Sequence, residues 1–195
     1  MLHIISGKYK NRRLAAPKSS TTRPTSALVR GAVFNMLQGN IEDAHVLDLC
    51  AGCGAMGLEA LSRGAAHATF IEKNHQACQC IISNLSLLKA EKEGQVLCID
   101  AMTSINRLAN NSKQFDLIYI DPPYDATVFW KGENLYLGTA LLHAIDYHQL
   151  LKENGWLFVE GGTKQLTSPL PLTHLHLLEQ RHYGRSTLSI YRNKF

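Results

Sequence analysis

The chain has no acidic residue before Glu42, although its 195 residues include 16 aspartates and glutamates. Seven of its 20 lysines and arginines lie in that stretch, which leaves 13 basic against 16 acidic side chains in the remainder. The seven are Lys8, Lys10, Arg12, Arg13, Lys18, Arg23 and Arg30. A basic arm therefore precedes a slightly acidic body, which predicts a polyanionic partner such as nucleic acid. The alternative is a solvated cationic surface without a partner.

No apolar run reaches the length of a membrane span, and residues 1–8 lack the pattern of a signal peptide. The five cysteines are an odd number, and the CxxC spacing of Cys50 and Cys53 has no second pair to complete a zinc site. These absences predict a cytoplasmic protein with free thiols and no metal site. Redox or metal chemistry at the CxxC pair is the alternative. Nothing in the sequence demands a dimer, so we expect a monomer.

Short aliphatic runs alternate with helical patterns along the chain. Strands are predicted at residues 46–50, 67–71, 95–99, 115–120 and 156–160, with two more near 172–180 and 186–192, and those at 46–50 and 115–120 are predicted to be buried. Helices are predicted after a cap at Thr25 or Ser26, at residues 58–63, 74–89 and 138–152, and in a short segment ending at Leu108. This order is typical of an α/β fold with a doubly wound parallel sheet, whose ligands bind at the carboxyl ends of the strands.

Four acidic residues stand at or near the ends of successive predicted strands, namely Asp48, Glu72, Asp100 and Asp121. Each alone has a structural explanation, because an aspartate often caps the following helix and a glutamate at a strand end is often a surface charge. Four adjacent strand ends together favour a ligand site.

Asp121 opens a stiff corner, Asp-Pro-Pro-Tyr at residues 121–124. The two prolines stop the preceding strand because neither can donate a hydrogen bond to a ladder. The corner offers a carboxylate, carbonyls with few local donors, and the ring of Tyr124. Such a corner can hold an amino group while the ring stacks on a flat heterocycle; a plain strand-to-loop turn is the alternative.

Gly52, Gly54 and Gly57 satisfy the dinucleotide fingerprint, and Glu72 lies at about the expected distance for a ribose. NAD is therefore a serious candidate. Two features favour S-adenosylmethionine instead. First, the negative charge of Asp48 would lie beside the negatively charged pyrophosphate of a dinucleotide, whereas S-adenosylmethionine offers it an ammonium group. Glu72 can then bind the ribose of S-adenosylmethionine, and Asp100 its adenine amino group. Second, the corner at residues 121–124 has no evident role in hydride transfer, the reaction that NAD serves.

These motifs together resemble the RsmD-type methyltransferases, which methylate the exocyclic N2 of one guanine in bacterial 16S ribosomal RNA with S-adenosylmethionine. The resemblance runs in order through residues 4–8, 23–25, Arg30, 34–37, 48–54, 57–65, 71–72, 121–124 and 183–184. It implies a seven-stranded, Rossmann-like class I methyltransferase sheet with an antiparallel last strand. Residues 1–40 would form an RNA-binding hairpin and helix, and residues 41–195 the methyltransferase domain.

The resemblance also implies roles for particular residues. Asp121, Pro122 and Tyr124 would be catalytic, with the Asp121 carboxylate and the Pro122 carbonyl accepting the amino hydrogens and Tyr124 stacking on the base. The cofactor would be held by Asp48, Ala51, Gly52, Gly54, Glu72, Lys73, Asp100, Ala101 and Asp121. RNA, free or in a small-subunit particle, would be held by Lys8, Lys10, Arg12, Arg13, Arg23 and Arg30.

Three positions depart from the family pattern, and the role of one loop and the function itself have alternatives. Cys53, Ala27 and Gly31 replace the family's usual residues, and Gly31 inside a helix costs about 1 kcal/mol relative to alanine. Residues 126–136 are expected to form a loop that acts as a lid or is disordered. The rival functions are an amino-methyltransferase acting on DNA adenine or protein glutamine, and a non-catalytic RNA-binding assembly factor.

Overall fold

The structure is a computed structural model that describes residues 2–16, 26–37, 39–162 and 171–194. The chain divides into two compact units, Met1–Ala101 and Met102–Phe195. Within the described residues the main sheet has seven strands, as the sequence predicts. No helix in the described ranges combines the length and the apolar character needed to cross a bilayer.

The described residues of the first unit form three parallel strands and three helices. In chain order they are α1 (Ala27–Met36), β1 (His45–Leu49), α2 (Ala55–Ser62), β2 (His67–Glu72), α3 (His75–Leu88) and β3 (Gly94–Cys98). The strand order is β3-β2-β1, and both pairings are parallel. Leu47, Leu49 and Ile71 are fully buried, which explains the largely apolar runs of β1 and β2.

Polar side chains set the starts of two of these helices. The Ser26 hydroxyl accepts the Val29 N–H and caps α1, which resolves the choice between Thr25 and Ser26 in favour of Ser26 among the described residues. Asn74 caps α3 by accepting two backbone N–H groups. The helix and strand bounds of this unit agree with the predicted ones to within a few residues.

The N-terminal segment packs on α2. An isolated antiparallel bridge joins His3 to Arg13, so the predicted loose hairpin is present. The buried Glu59 carboxylate accepts the N–H groups of Ile5 and Ser6, at 2.8 and 3.0 Å. Gly7 has a φ of 85°, and a Cβ atom there would lie 1.8 Å from the Ser62 carbonyl oxygen. Glycine is thus required where the tip meets the helix.

The second unit carries the remaining elements. They are α4 (Ala101–Asn110), which begins at the unit boundary, β4 (Phe115–Ile120), β5 (Thr127–Trp130), β6 (Glu133–Tyr136), α5 (Leu137–His148), β7 (Leu151–Gly162), β8 (Leu175–Tyr183) and β9 (Ser186–Asn193). The strand order is β4-β7-β9-β8, and β4 and β7 are parallel. The last strand, β9, runs antiparallel to β7 and β8, which confirms the antiparallel final strand.

Two predictions for this unit are wrong. The helix expected to reach Lys152 ends at His148, because Gln149 adopts a left-handed φ of 51° and its N–H bonds back to the carbonyls of α5. Strand β7 consequently begins at Leu151. Residues 126–136 form the two-stranded hairpin β5–β6 rather than a loop, and Leu135 is buried on one of its faces.

Candidate functional site

The glycine loop of the first unit follows β1 directly. Cys50, Gly52 and Gly54 all have left-handed φ values, and Gly54 forms the N-cap of α2. A Cβ atom on Gly52 would meet nothing within 4 Å, whereas one on Gly57 would lie 2.3 Å from Cε1 of Phe70. Gly52 therefore leaves room for a ligand to approach the backbone, while Gly57 serves the packing of α2 on β2.

Asp48 lies beneath this loop and is only 2% exposed. Its Oδ2 accepts the Gly57 N–H at 3.0 Å, so the capping role that the sequence left open is present. Burial raises the pKa of the Asp48 carboxyl from 3.8 to about 7; the Gly57 N–H opposes this shift and the Glu72 charge adds to it. The site thus holds a carboxyl group that titrates near neutral pH.

Glu72 fixes the loop from the end of β2. Its Oε2 accepts the Gly52 N–H and its Oε1 accepts the Asn74 N–H, each at 2.8 Å. It is therefore more than a surface charge. Because β1, β2 and β3 are parallel, the residues that end or follow them share one edge of the sheet.

The other predicted cofactor residues of this unit lie along that edge. Ala51 is half-buried in the loop, and Lys73 is exposed just after β2. Asp100 is exposed and Ala101 is buried where β3 gives way to α4. The structure therefore brings together the glycine loop, Asp48 and Glu72, and places Lys73, Asp100 and Ala101 at the ends of the neighbouring strands.

In the second unit, β4 ends at Ile120 and the predicted corner follows at once. Asp121 is half-buried and Pro122 is buried. Pro122, Pro123 and Tyr124 line a small pocket together with Tyr136, Gly138, Glu160 and Gly161. A Cβ atom on Gly138 would lie 3.3 Å from Cγ of Pro122, so this glycine lets α5 approach the corner closely.

A hydrogen-bond network holds the Tyr124 hydroxyl in place. It donates to Oε1 of Glu160 at 3.2 Å and lies 2.6 Å from the Ser186 hydroxyl. The Tyr119 hydroxyl donates to the other oxygen of the same buried carboxylate, at 2.5 Å. Burial is the largest cause that raises the pKa of Tyr124, to about 12, so the phenol stays protonated at physiological pH.

Sequence reasoning missed Glu160, Ser186 and Tyr119 as partners of the corner. One signal was available for Glu160, because it ends the predicted strand at residues 156–160 and is thus a further acid at a strand end. Ser186 has no such signal, since only the antiparallel pairing of β9 with β7 brings it to the corner.

The predicted RNA-contacting residues divide into three groups. Lys8, Lys10, Arg12 and Arg13 are exposed on the N-terminal hairpin, where Lys8 also pairs with Glu93 at 3.3 Å. Arg30 is 2% exposed and its Nη2 donates to the His3 carbonyl at 2.9 Å. This placement does not fit a direct RNA contact; Arg30 joins α1 to the N-terminal segment. Arg23 lies outside the described residues.

The CxxC alternative gains no support from the structure. Burial raises the pKa of the Cys53 thiol to about 11, which disfavours the thiolate that redox and metal chemistry require. Within the described ranges, no group of three or more histidine, cysteine or acidic side chains is arranged to hold a metal ion.

Comparison with known proteins gives a consistent result. The model of a family described as "Conserved hypothetical protein 95" matches residues 2–192. The chain is 34% identical to the "Putative rRNA methyltransferase YlbH" of Bacillus subtilis, over 99% of this chain and 100% of that protein. It is 38% identical to "Ribosomal RNA small subunit methyltransferase D" of Escherichia coli, over 82% and 71% of the two chains.

Two solved structures are also similar. The "Putative methyltransferase yhhF" of Escherichia coli matches with a TM-score of 0.81 and 29% identity, over 99% of this chain and 98% of that one. A structure described as "SMU.776, a putative methyltransferase complexed with SAH" matches with a TM-score of 0.65 over 94% of this chain and 52% of that one. At 15% identity, the second likeness concerns the fold alone.

Proposed function

The chain belongs to the conserved hypothetical protein 95 family, and we propose that it methylates the exocyclic N2 of a guanine in 16S ribosomal RNA. Its relatives include a protein named for ribosomal RNA small-subunit methylation. The protein is thus an S-adenosylmethionine-dependent methyltransferase of the RsmD/YlbH type. The single observation that carries the finer assignment is the Asp-Pro-Pro-Tyr corner, whose tyrosine is tethered beside a small pocket.

The residues of the first unit fit the cofactor. The open backbone at Gly52 admits a ligand, and the Asp48 carboxyl suits an ammonium group, directly or through water. Glu72 would hold the ribose and Asp100 the adenine amino group. Ala51, Gly54, Lys73 and Ala101 complete the proposed contacts. When bound, S-adenosylmethionine supplies an electrophilic methyl group.

In the second unit the corner acts on the nucleophile. A guanine amino nitrogen is a poor nucleophile because its lone pair is delocalised into the ring. The Asp121 carboxylate and the Pro122 carbonyl accept the two amino hydrogens, which fixes the nitrogen in place and favours a localised lone pair. Such positioning contributes about 7–11 kcal/mol in favourable cases.

Tyr124 supplies the stacking surface for the base, a contact typically worth about 1–3 kcal/mol. Because its hydroxyl is held by Glu160 and Ser186 and has a pKa of about 12, Tyr124 does not serve as the proton acceptor. We assign that role to Asp121, directly or through water. The base has to leave its stack to reach the corner, so the target is a loop or bulge nucleotide.

The basic arm supplies the positive charge for binding RNA. Lys8, Lys10, Arg12 and Arg13 are exposed and would neutralise phosphates of the RNA or of a small-subunit particle. Replacing Arg12 and Arg13 by alanine should weaken binding and flatten its dependence on salt. An unchanged slope of affinity against salt would exclude the arm from RNA binding. The boundary between an RNA-binding extension at residues 1–40 and a methyltransferase domain at residues 41–195 stays a prediction. We also propose that the protein is a monomer and that it acts in the cytoplasm, where its substrate is found.

Asp121→Ala tests the proposal directly. We expect methyl transfer to ribosomal RNA to fall below detection while the affinity for S-adenosylmethionine, measured by calorimetry, changes little. Asp125→Ala, which removes an exposed acid four residues away, is the matched control and should keep full activity. Full turnover by Asp121→Ala would contradict the assignment.

A further inference from the structure

The hairpin β5–β6 has one anchored face and one open face. Its register pairs Thr127 with Tyr136 and Phe129 with Asn134. Since cross-strand partners share a face and successive residues alternate, these four side chains lie on the same side of the hairpin. All four are exposed, and Phe129 is 74% exposed.

The opposite face holds the hairpin against α5. Leu135 is buried there, and the ring of Trp130 stacks on His143 of α5 with centroids 5.6 Å apart. Next to this face, Nζ of Lys131 lies 3.7 Å from the ring centroid of Tyr147. The hairpin that carries the open face is therefore held in place by its packing on α5.

The open face continues into the pocket of the corner. Tyr136, which belongs to the open face, also lines the pocket formed by Pro122, Pro123 and Tyr124. A nucleotide strand whose target base stacks on Tyr124 would consequently have its neighbouring nucleotide beside Tyr136, and the strand would continue along the open face.

We propose that the open face of the hairpin binds the unpaired RNA nucleotides that flank the target guanine, with Phe129 and Tyr136 stacking on bases. This inference rests on the proposed function and names a further part of its substrate. Unpaired bases are the fitting partner because every base has a flat π face, whereas a duplex keeps those faces stacked inside. Thr127 and Asn134 place hydroxyl and amide groups beside the rings, where they can bond to base edges.

The test is a set of substitutions at Phe129, assayed on deproteinised 16S ribosomal RNA and on small-subunit particles. Phe129→Ala should raise the KM for both substrates about tenfold, while kcat and the affinity for S-adenosylmethionine change less than twofold. Phe129→Trp should restore the KM because it restores a stacking ring. Phe129→Leu should not, although it keeps apolar area.

Leu178→Ala is the matched control, since Leu178 is an exposed apolar residue of β8 outside the pocket. It should leave the KM unchanged. A KM for Phe129→Ala equal to that of the wild type would overturn the inference. An effect seen only with particles would also overturn it, because that result indicates a ribosomal protein partner. So would full rescue by leucine, because that result indicates an apolar contact without stacking. If the wild-type protein transfers no methyl group to RNA, the proposed function itself fails, which is a separate outcome.

Discussion

Asp48→Asn removes the charge of a buried carboxylate and keeps its hydrogen bond. The asparagine side-chain oxygen can still accept the Gly57 N–H that Oδ2 of Asp48 accepts at 3.0 Å. The two side chains also have nearly the same volume, so packing under the glycine loop is preserved. The substitution consequently isolates the effect of ionisation.

The expected change in the free energy of unfolding follows from the pKa of Asp48, which burial raises from 3.8 to about 7. The folded protein holds this proton more tightly than the unfolded chain, so the free energy of unfolding falls as pH rises from about 4 to 7. At about 1.4 kcal/mol for each pH unit, the full loss is about 4 kcal/mol above pH 7. Without cofactor, Asp48→Asn should therefore be more stable than the wild type at pH 8 and equally stable at pH 4.

Urea unfolding of both proteins at pH 4, 6 and 8 measures this difference, with Asp125→Asn as an exposed control. Calorimetry at pH 8 should show that Asp48→Asn binds S-adenosylmethionine at least tenfold more weakly, since the ammonium group loses its partner charge. The wild-type affinity should also fall as pH drops below 7, because the carboxylate becomes protonated. Parallel stability curves for the variant and the wild type would refute the reasoning.

Two further substitutions test the packing and the corner. Gly57→Ala places a methyl group 2.3 Å from Cε1 of Phe70 and should destabilise the protein by about 1–3 kcal/mol. A lower Tm measures this loss, and an unchanged Tm would contradict the close packing of α2 on β2. Tyr124→Phe keeps the ring but loses the hydrogen bonds to Glu160 and Ser186, so the KM for RNA should rise about threefold or more. Tyr124→Ala should raise the KM further because it also removes the ring that stacks on the base. Equal KM values for the two variants would argue against stacking.

Much of the first unit could be predicted from the sequence because β1 and β2 are buried on both faces. A short, largely apolar run such as the one ending at Leu49 is typical of a buried parallel strand, and the acids near the ends of these runs mark the edge of the sheet. The corner at residues 121–124 was readable for a related reason. Two successive prolines cannot continue a parallel strand, so the end of β4 was fixed locally.

The errors arise where a distant contact decides the local structure. Arg30 reads as a surface cation of an amphipathic helix, but its guanidinium donates to the carbonyl of His3 and the side chain is buried. The end of α5 depends on the left-handed conformation of Gln149, which asparagine or glycine would have signalled and glutamine does not. The anchoring of Tyr124 depends on Glu160, 36 residues later, and on Ser186, 62 residues later.

The central claim is methylation of a guanine N2 in 16S ribosomal RNA, and mass spectrometry of that RNA tests it most directly. RNA from cells that lack the protein should be missing one N2-methylguanosine, which the wild-type protein restores and Asp121→Ala does not. Identical methylation with and without the protein would contradict the account, as would the loss of a methyl group from any other position or molecule.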